Sequence, residues 1–226
     1  MRIVIAGGHG KIARQLTREL AKDGHEVVGL IRTDEQRADL IADGAVPVVI
    51  SLEASSAADV AHLLAGADVA VFAAGAGAGG SEERRQAVDF GGSVLLADAA
   101  EAAGVPRFIQ ISSTGTEKVR NGQTPEDVPA DFLGYLQAKL AAEDDLVTRP
   151  LDWTIVRPGG LLDDAGTGQV RLTPAGPGLP EDSASVPRAD VAAVLAELIT
   201  SGAATRRVLH LVSGETPVTT AVAAFA

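Results

Sequence analysis

The stretch MRIVIAGGHGKIARQL, residues 1–16, joins a short apolar run, three glycines within four positions and a helix-like segment. Gly8-His9-Gly10-Lys11-Ile12-Ala13 fits the dinucleotide fingerprint G-x-G-x-x-G/A with alanine in its third place. Such glycines let backbone amides approach a pyrophosphate, and the following helix turns its positive end toward the charge. A small third residue allows the helix to pack close to the strand. A plain strand-to-helix turn is the competing reading, and 25 glycines in 226 residues make chance matches easy. Position favours the phosphate cradle, because the cluster lies between the first strand-like run and the first helix-like one.

The same alternation continues along the chain. Continuously apolar, β-branched runs recur at Ile3–Ala6, Val27–Ile31, Val46–Ile50, Val69–Ala73, Phe108–Ile111, Thr154–Val156 and Val208–Val212, as expected for strands covered on both faces. Helix-like stretches at 11–23, 34–43, 57–65, 82–103 and 188–199 separate most of them. The pattern predicts a Rossmann-like α/β fold, a doubly wound parallel sheet with helices on both faces, in a single domain spanning 1–226. The glycine-rich segment Ala73–Gly80 reads as a loop at the carboxyl edge of the sheet, where ligands bind. The segment Thr173–Pro187 reads as a mobile loop. Residues 114–131 and 159–187 are expected to build the substrate region.

Charge and composition exclude several functions. Thirty acidic against 19 basic residues give a net charge of −11, a poor surface for nucleic acid. There is no cysteine, hence no disulfide, thiolate metal site or cysteine nucleophile. His9, His25, His62 and His210 have no metal-ligand spacing, so no metal site is expected. Only four apolar residues follow Arg2 before glycine, and no run approaches the ~18 residues of a membrane span; a cytoplasmic chain is expected.

Two further features carry chemistry. The second strand ends in Arg32, suited to the 2′-phosphate of NADP, whereas a carboxylate there would suit NAD; Asp34 lies close enough to keep NAD open. The segment FIQISSTG (108–115) ends a strand in hydroxyls, and YLQAK places Tyr135 and Lys139 four apart on one face of a helix. A nearby ammonium favours the phenolate, which equips a tyrosine to pass a proton to or from a carbonyl or alcohol, while a neighbouring serine orients the substrate oxygen. Packing of Tyr135 with Phe132 and Leu136, with Lys139 solvated, is the competing reading.

Together GGHGKIA, AAG, ISST, YLQAK and TIVRPGGL (154–161) resemble the short-chain dehydrogenase/reductase superfamily, and within it a small atypical NAD(P)-binding, epimerase-like branch. The resemblance covers Met1 to about Pro217. It implies that Gly7, Gly10, Lys11 and Ile12 hold the pyrophosphate region and Arg32 the adenosine phosphate; His9 reads either as a further phosphate contact in the cofactor site or as a loop filler. It also implies that Ser51 and Leu52 flank the adenine, that Ala73, Ala74, Gly75 and Ser112 line the cofactor, and that Pro158 borders the nicotinamide. Ser113 would orient substrate, Tyr135 would act as proton donor or acceptor, and Lys139 would bind the nicotinamide ribose and tune Tyr135. Ser51 stands where relatives often carry aspartate, and Asp89 where larger relatives often carry asparagine. Only 66 residues (226 − 160) follow RPGG, few for the substrate lobe of a sugar-nucleotide epimerase or dehydratase. The expectation is an NADPH-dependent oxidoreductase acting on a small carbonyl, quinone or similar acceptor, as monomer or homodimer. The rival is a non-catalytic redox sensor that binds the same cofactor.

Overall fold

The computed structural model describes residues 1–77, 80–126, 128–176 and 185–226, with the backbone alone at Asp131. In chain order the elements are β1 (Arg2–Ala6), α1 (Lys11–Lys22), β2 (Glu26–Ile31), α2 (Arg37–Ala42), β3 (Val46–Val49), α3 (Ala57–Leu64), β4 (Val69–Phe72), α4 (Glu82–Arg85), α5 (Gly92–Ala103), β5 (Arg107–Ile111) and α6 (Ala130–Leu146). There follow β6 (Asp152–Pro158), β7 (Gly160–Leu162), β8 (Gln169–Pro174), β9 (Ser185–Pro187), α7 (Arg188–Ser201), β10 (Arg207–Ser213), β11 (Thr216–Pro217) and α8 (Val218–Ala223).

The main sheet runs β3-β2-β1-β4-β5-β6-β10-β8-β11. From β3 to β10 every pairing is parallel. Successive residues of a strand face opposite sides, and on β1 this separates two cores. Ile3 and Ile5 pack with Leu16 and Leu20 of α1 and Leu195 and Leu198 of α7. Val4 and Ala6 pack with Val60 and Leu64 of α3 and Leu96 and Ala100 of α5. Both faces are dry, which is why the strands read as continuous apolar runs.

The parallel order expected of the sheet holds as far as β10. β8 pairs antiparallel with β10, and β11 antiparallel with β8, so the sheet ends in two reversed strands. β8 lies on a stretch expected to be irregular, because its burial alternates instead of being continuous. In the segment expected as a mobile loop, Thr173 and Pro174 close β8, Ser185–Pro187 form β9, and 177–184 lie outside the described residues. The helix expected over 82–103 is interrupted by a π-helical turn at Gln86–Gly91 between α4 and α5. That widened turn carries Asp89 inward to complete burial. Trp153 packs in the core.

The strand order reverses between β1, which leads on to β2, and β4. The loops after β1 and β4 therefore part at the carboxyl edge of the sheet and leave a crevice, the place where open α/β sheets take ligands.

Candidate functional site

The crevice begins with Gly7, whose φ of +78° is a left-handed conformation that glycine adopts without strain. A Cβ there would stand 2.6 Å from the Ala74 Cα, so the β1–α1 loop lies directly on the backbone after β4. The Gly8 N–H donates to the Leu30 carbonyl at 2.9 Å, and a Cβ on Gly8 would stand 2.8 Å from the Gly29 Cα. Gly10 caps α1 with no side-chain acceptor, and the first turn of the helix holds no acidic residue. The opening amides of α1 have no partner within the helix, and Gly10, Lys11, Ile12 and Ala13 line the cleft. This close-packed, uncapped helix start fits a bound phosphate group.

Around it lie two adjoining cavities that share Gly10, Ala73, Ala74 and Gly75. The smaller, about 260 Å³, is walled by Gly7, His9, Arg32, Ser51, Leu52 and others at the ends of β2 and β3. Arg32 is exposed and its guanidinium makes no ion pair among the described residues. Asp34, the carboxylate nearest in sequence, is held by Arg37 at 2.9 Å. His9 is fixed by Asp39, its Nε2 lying 2.7 Å from Oδ2, and Arg14 reaches the same carboxylate at 3.0 Å.

The larger cavity, about 1250 Å³, has Ser113, Tyr135 and Lys139 among its lining residues. Tyr135 is half-buried and its ring stacks, tilted, on Phe132 at 5.0 Å. The Ser113 hydroxyl donates to the Thr114 carbonyl at 3.0 Å. Lys139 is buried, with Nζ 5.8 Å from the Tyr135 ring centroid and 5.7 Å from that of Phe72. Its ammonium donates to the Ile111 carbonyl at 3.2 Å and lies 3.2 Å from the carboxylate of Asp89, which in turn accepts the Ala76 N–H at 3.0 Å. The departure at Asp89 thus has a structural counterpart: the charge expected to act on Tyr135 is already compensated.

Two expected cofactor contacts are placed differently. The Ser112 hydroxyl donates to Glu143, a buried carboxylate that Arg157 grips through Nε at 3.0 Å and Nη2 at 2.5 Å. Ser112 is therefore committed to a network beneath the cavity floor, although it borders the cavity. Pro158 is buried and stays out of the wall, where Gly159 and Gly160 stand instead. Lys11 is also engaged, since Asp163 binds it at 2.5 Å and Arg188 at 2.7 Å, across the mouth of the cleft. Lys11 together with Arg188 holds the Asp163 carboxyl below the usual carboxylate range.

The sequence reading gave no site role to Glu143, Arg85 or His210, and noted Asp89 only as a departure from the asparagine of larger relatives. Glu143 had a signal, because Tyr135, Lys139 and Glu143 continue one helix face at spacings of four. Asp89 was marked only by that departure; the π-helical turn is what brings it inward. His210 sits in the middle of the apolar run of β10, is 4 % exposed and lines the larger cavity. Burial pushes its pKa down, Arg157 adds to this and Glu117 opposes it. Among the described residues no cluster of His, Asp and Glu could hold a metal ion, and no helix is long and apolar enough to cross a membrane.

Comparison with known proteins agrees with this geometry. The chain is similar to the UPF0659 protein C216.03 of Schizosaccharomyces pombe, 33 % identical with 98 % of this chain and 94 % of that one covered. It is similar to a solved structure from Bacillus halodurans provisionally assigned as an NAD-dependent epimerase/dehydratase, with 36 % identity, a TM-score of 0.88 and 99 % of both chains covered. It also resembles ChuY, an anaerobilin reductase of Escherichia coli O157:H7, with 27 % identity, a TM-score of 0.78, and 94 % of this chain and 97 % of that one covered. Residues 7–202 match the NAD(P)H-binding family, and with the Gly7–Ala13 helix start on the crevice between β1 and β4, the chain belongs to that family.

Proposed function

We propose that this protein is an NADPH-dependent reductase of a small carbonyl, quinone or similar acceptor. The observation that carries this reading is the continuity of the cleft: Arg32 lines the smaller cavity, the start of α1 lines the larger one together with Ser113 and Tyr135, and Gly10 and Ala73–Gly75 are common to both. The likeness to ChuY, a reductase, supports the same class of reaction.

In this reading Gly7, Gly10 and the amides of Lys11, Ile12 and Ala13 hold the pyrophosphate, and Arg32 takes the 2′-phosphate as a bidentate partner. The cofactor, when bound, supplies the hydride. Ser113 turns its hydroxyl from the Thr114 carbonyl to the acceptor oxygen and orients it. Tyr135 gives its phenolic proton to that oxygen. Lys139, tied to Asp89 and the Ile111 carbonyl, fixes the wall on which Tyr135 stands.

Such a proton donor contributes roughly 10²–10⁴ to the rate. With purified protein and a panel of aldehydes, ketones, quinones and flavins, Tyr135→Phe is expected to lower kcat by roughly a hundredfold or more while NADPH still binds. Undiminished turnover in that variant would remove Tyr135 from the chemistry. A second reading, a redox sensor that binds the cofactor without consuming it, draws on the compensation of Lys139 by Asp89. It gains if NADPH binds and no acceptor is reduced.

A further inference from the structure

We propose that the ligand held beside the cofactor is an organic anion, an apolar body bearing a carboxylate, recognised by Arg85 with His210 as a second polar contact. This deepens the reductase reading and rests on it for which part of the cleft remains open to substrate.

The first ground is an unmatched positive charge in an acidic chain. The net charge is −11, yet Arg85 lines the larger cavity with no ion-pair partner among the described residues, whereas Lys139 is matched by Asp89 and Lys11 and Arg188 by Asp163. The described carboxylates of the lining are spent: Asp89 on Lys139 and the Ala76 N–H, Glu117 on Arg157 at 3.2 Å. Pyrophosphate at the start of α1 accounts for positive charge near Lys11 but not for Arg85 on α4, at the other side of the Asp89 turn.

The second ground is a pair of side chains without partners. The Arg85 guanidinium makes no hydrogen bond or ion pair among the described residues, although the side chain is partly buried. It lies over Gly134, where a Cβ would come 3.6 Å from Nη1, so the helix carrying Tyr135 leaves it room. His210 is 4 % exposed, and its ring forms no hydrogen bond within the described protein. Standing at the cavity wall with no partner in the described protein, the ring leaves its nitrogens to whatever fills the cavity. Neutral because burial disfavours its charged form, it donates one N–H to an anion without adding a second charge. The rest of the wall includes Val128, Phe132, Leu136, Leu161 and Val212, which suits an apolar body.

The test measures binding and turnover separately. Protein saturated with NADP⁺ is titrated with benzoate, 2-naphthoate and 4-phenylbenzoate, and with the amide of each. At least one carboxylate is expected to bind tenfold or more tightly than its amide. Arg85→Gln should abolish that preference, Arg85→Lys should restore part of it, and NADP⁺ affinity should stay within twofold in both variants, which also reports that they fold. Equal affinity for carboxylate and amide across the three pairs, or a preference that survives Arg85→Gln, overturns the anion site. Turnover is then read with carboxylate-bearing aldehydes and quinones and their neutral esters. Reduction of both forms at equal kcat/KM overturns the anion proposal and leaves the reductase standing. Selective carboxylate binding with no acceptor reduced leaves the anion site standing and removes the reductase.

Discussion

At the scale of single residues, the roles proposed for Gly7 and Arg32 in nucleotide binding can be tested separately. Gly7→Ala forces a side chain into a left-handed backbone, costing about 1–2 kcal/mol, and drives its Cβ toward the Ala74 Cα. Both thermal stability and cofactor affinity are expected to fall, as read by a melting curve and a titration. Arg32→Glu touches neither the turn nor the core. It should weaken NADPH by roughly tenfold or more through loss of a charge-assisted contact while leaving NADH nearly unchanged; equal weakening of both would reassign Arg32. His210 gives a prediction in pH. Its pKa is lowered in the folded chain, so below the ordinary histidine value of about 6.5 the unfolded chain takes up the proton first. Stability present above that value is lost as pH falls toward the folded pKa. Urea midpoints at pH 7.5 and 5.5 should differ more in the native chain than in His210→Gln. The sequence displayed Gly7, Arg32 and Tyr135 because each sits beside a strand end or in a helical repeat. It hid His210, which inside an apolar strand looks like packing.

At the scale of elements, the parallel strands were legible because burial on both faces leaves unbroken apolar runs. β7, β8, β9 and β11 were not, being short or half-exposed and rich in glycine and proline nearby. The last helix, α8, has six residues, too few for a periodic pattern. Between elements a buried polar tie is made by Glu143 of α6, held by Ser112 after β5 and by Arg157 of β6. Removing one member of a buried ion pair typically costs about 3–5 kcal/mol, since the other charge stays behind in a dry place. Glu143→Ala is expected to lower Tm by roughly 6–20 °C, at about 2–4 °C per kcal/mol for a chain of this size. Glu143→Leu combined with Arg157→Leu should recover much of the loss. If the single and double variants melt together, the pair does not tie α6 to the sheet.

For the whole molecule, the two cavities join loops from β1, β2, β4 and β5 to the segment after β6 and the start of α7. A ligand filling that crevice stabilises the folded chain by mass action, about 2.7 kcal/mol at a hundredfold excess over Kd, or a Tm rise of roughly 5–10 °C. NADPH should give a larger rise than NADH at equal concentration, and the difference should vanish in Arg32→Glu. The fold and the nucleotide end were readable from one chain because they depend on local pattern. The acceptor end was not, because Arg85 and Asp89, Tyr135, and His210 come from three stretches far apart in the chain that only the folded sheet brings to one cleft.

The Lys11–Asp163–Arg188 bridge makes the free protein its own competitor. A phosphate arriving at α1 meets a lysine already matched with a carboxylate, so dissolved ions screen the incumbent as well as the newcomer. NADPH affinity should accordingly respond weakly to ionic strength. Asp163→Asn, which removes the incumbent, should bind NADPH more tightly at low salt and lose that advantage steeply as salt is added, turning a buffered site into a salt-sensitive one.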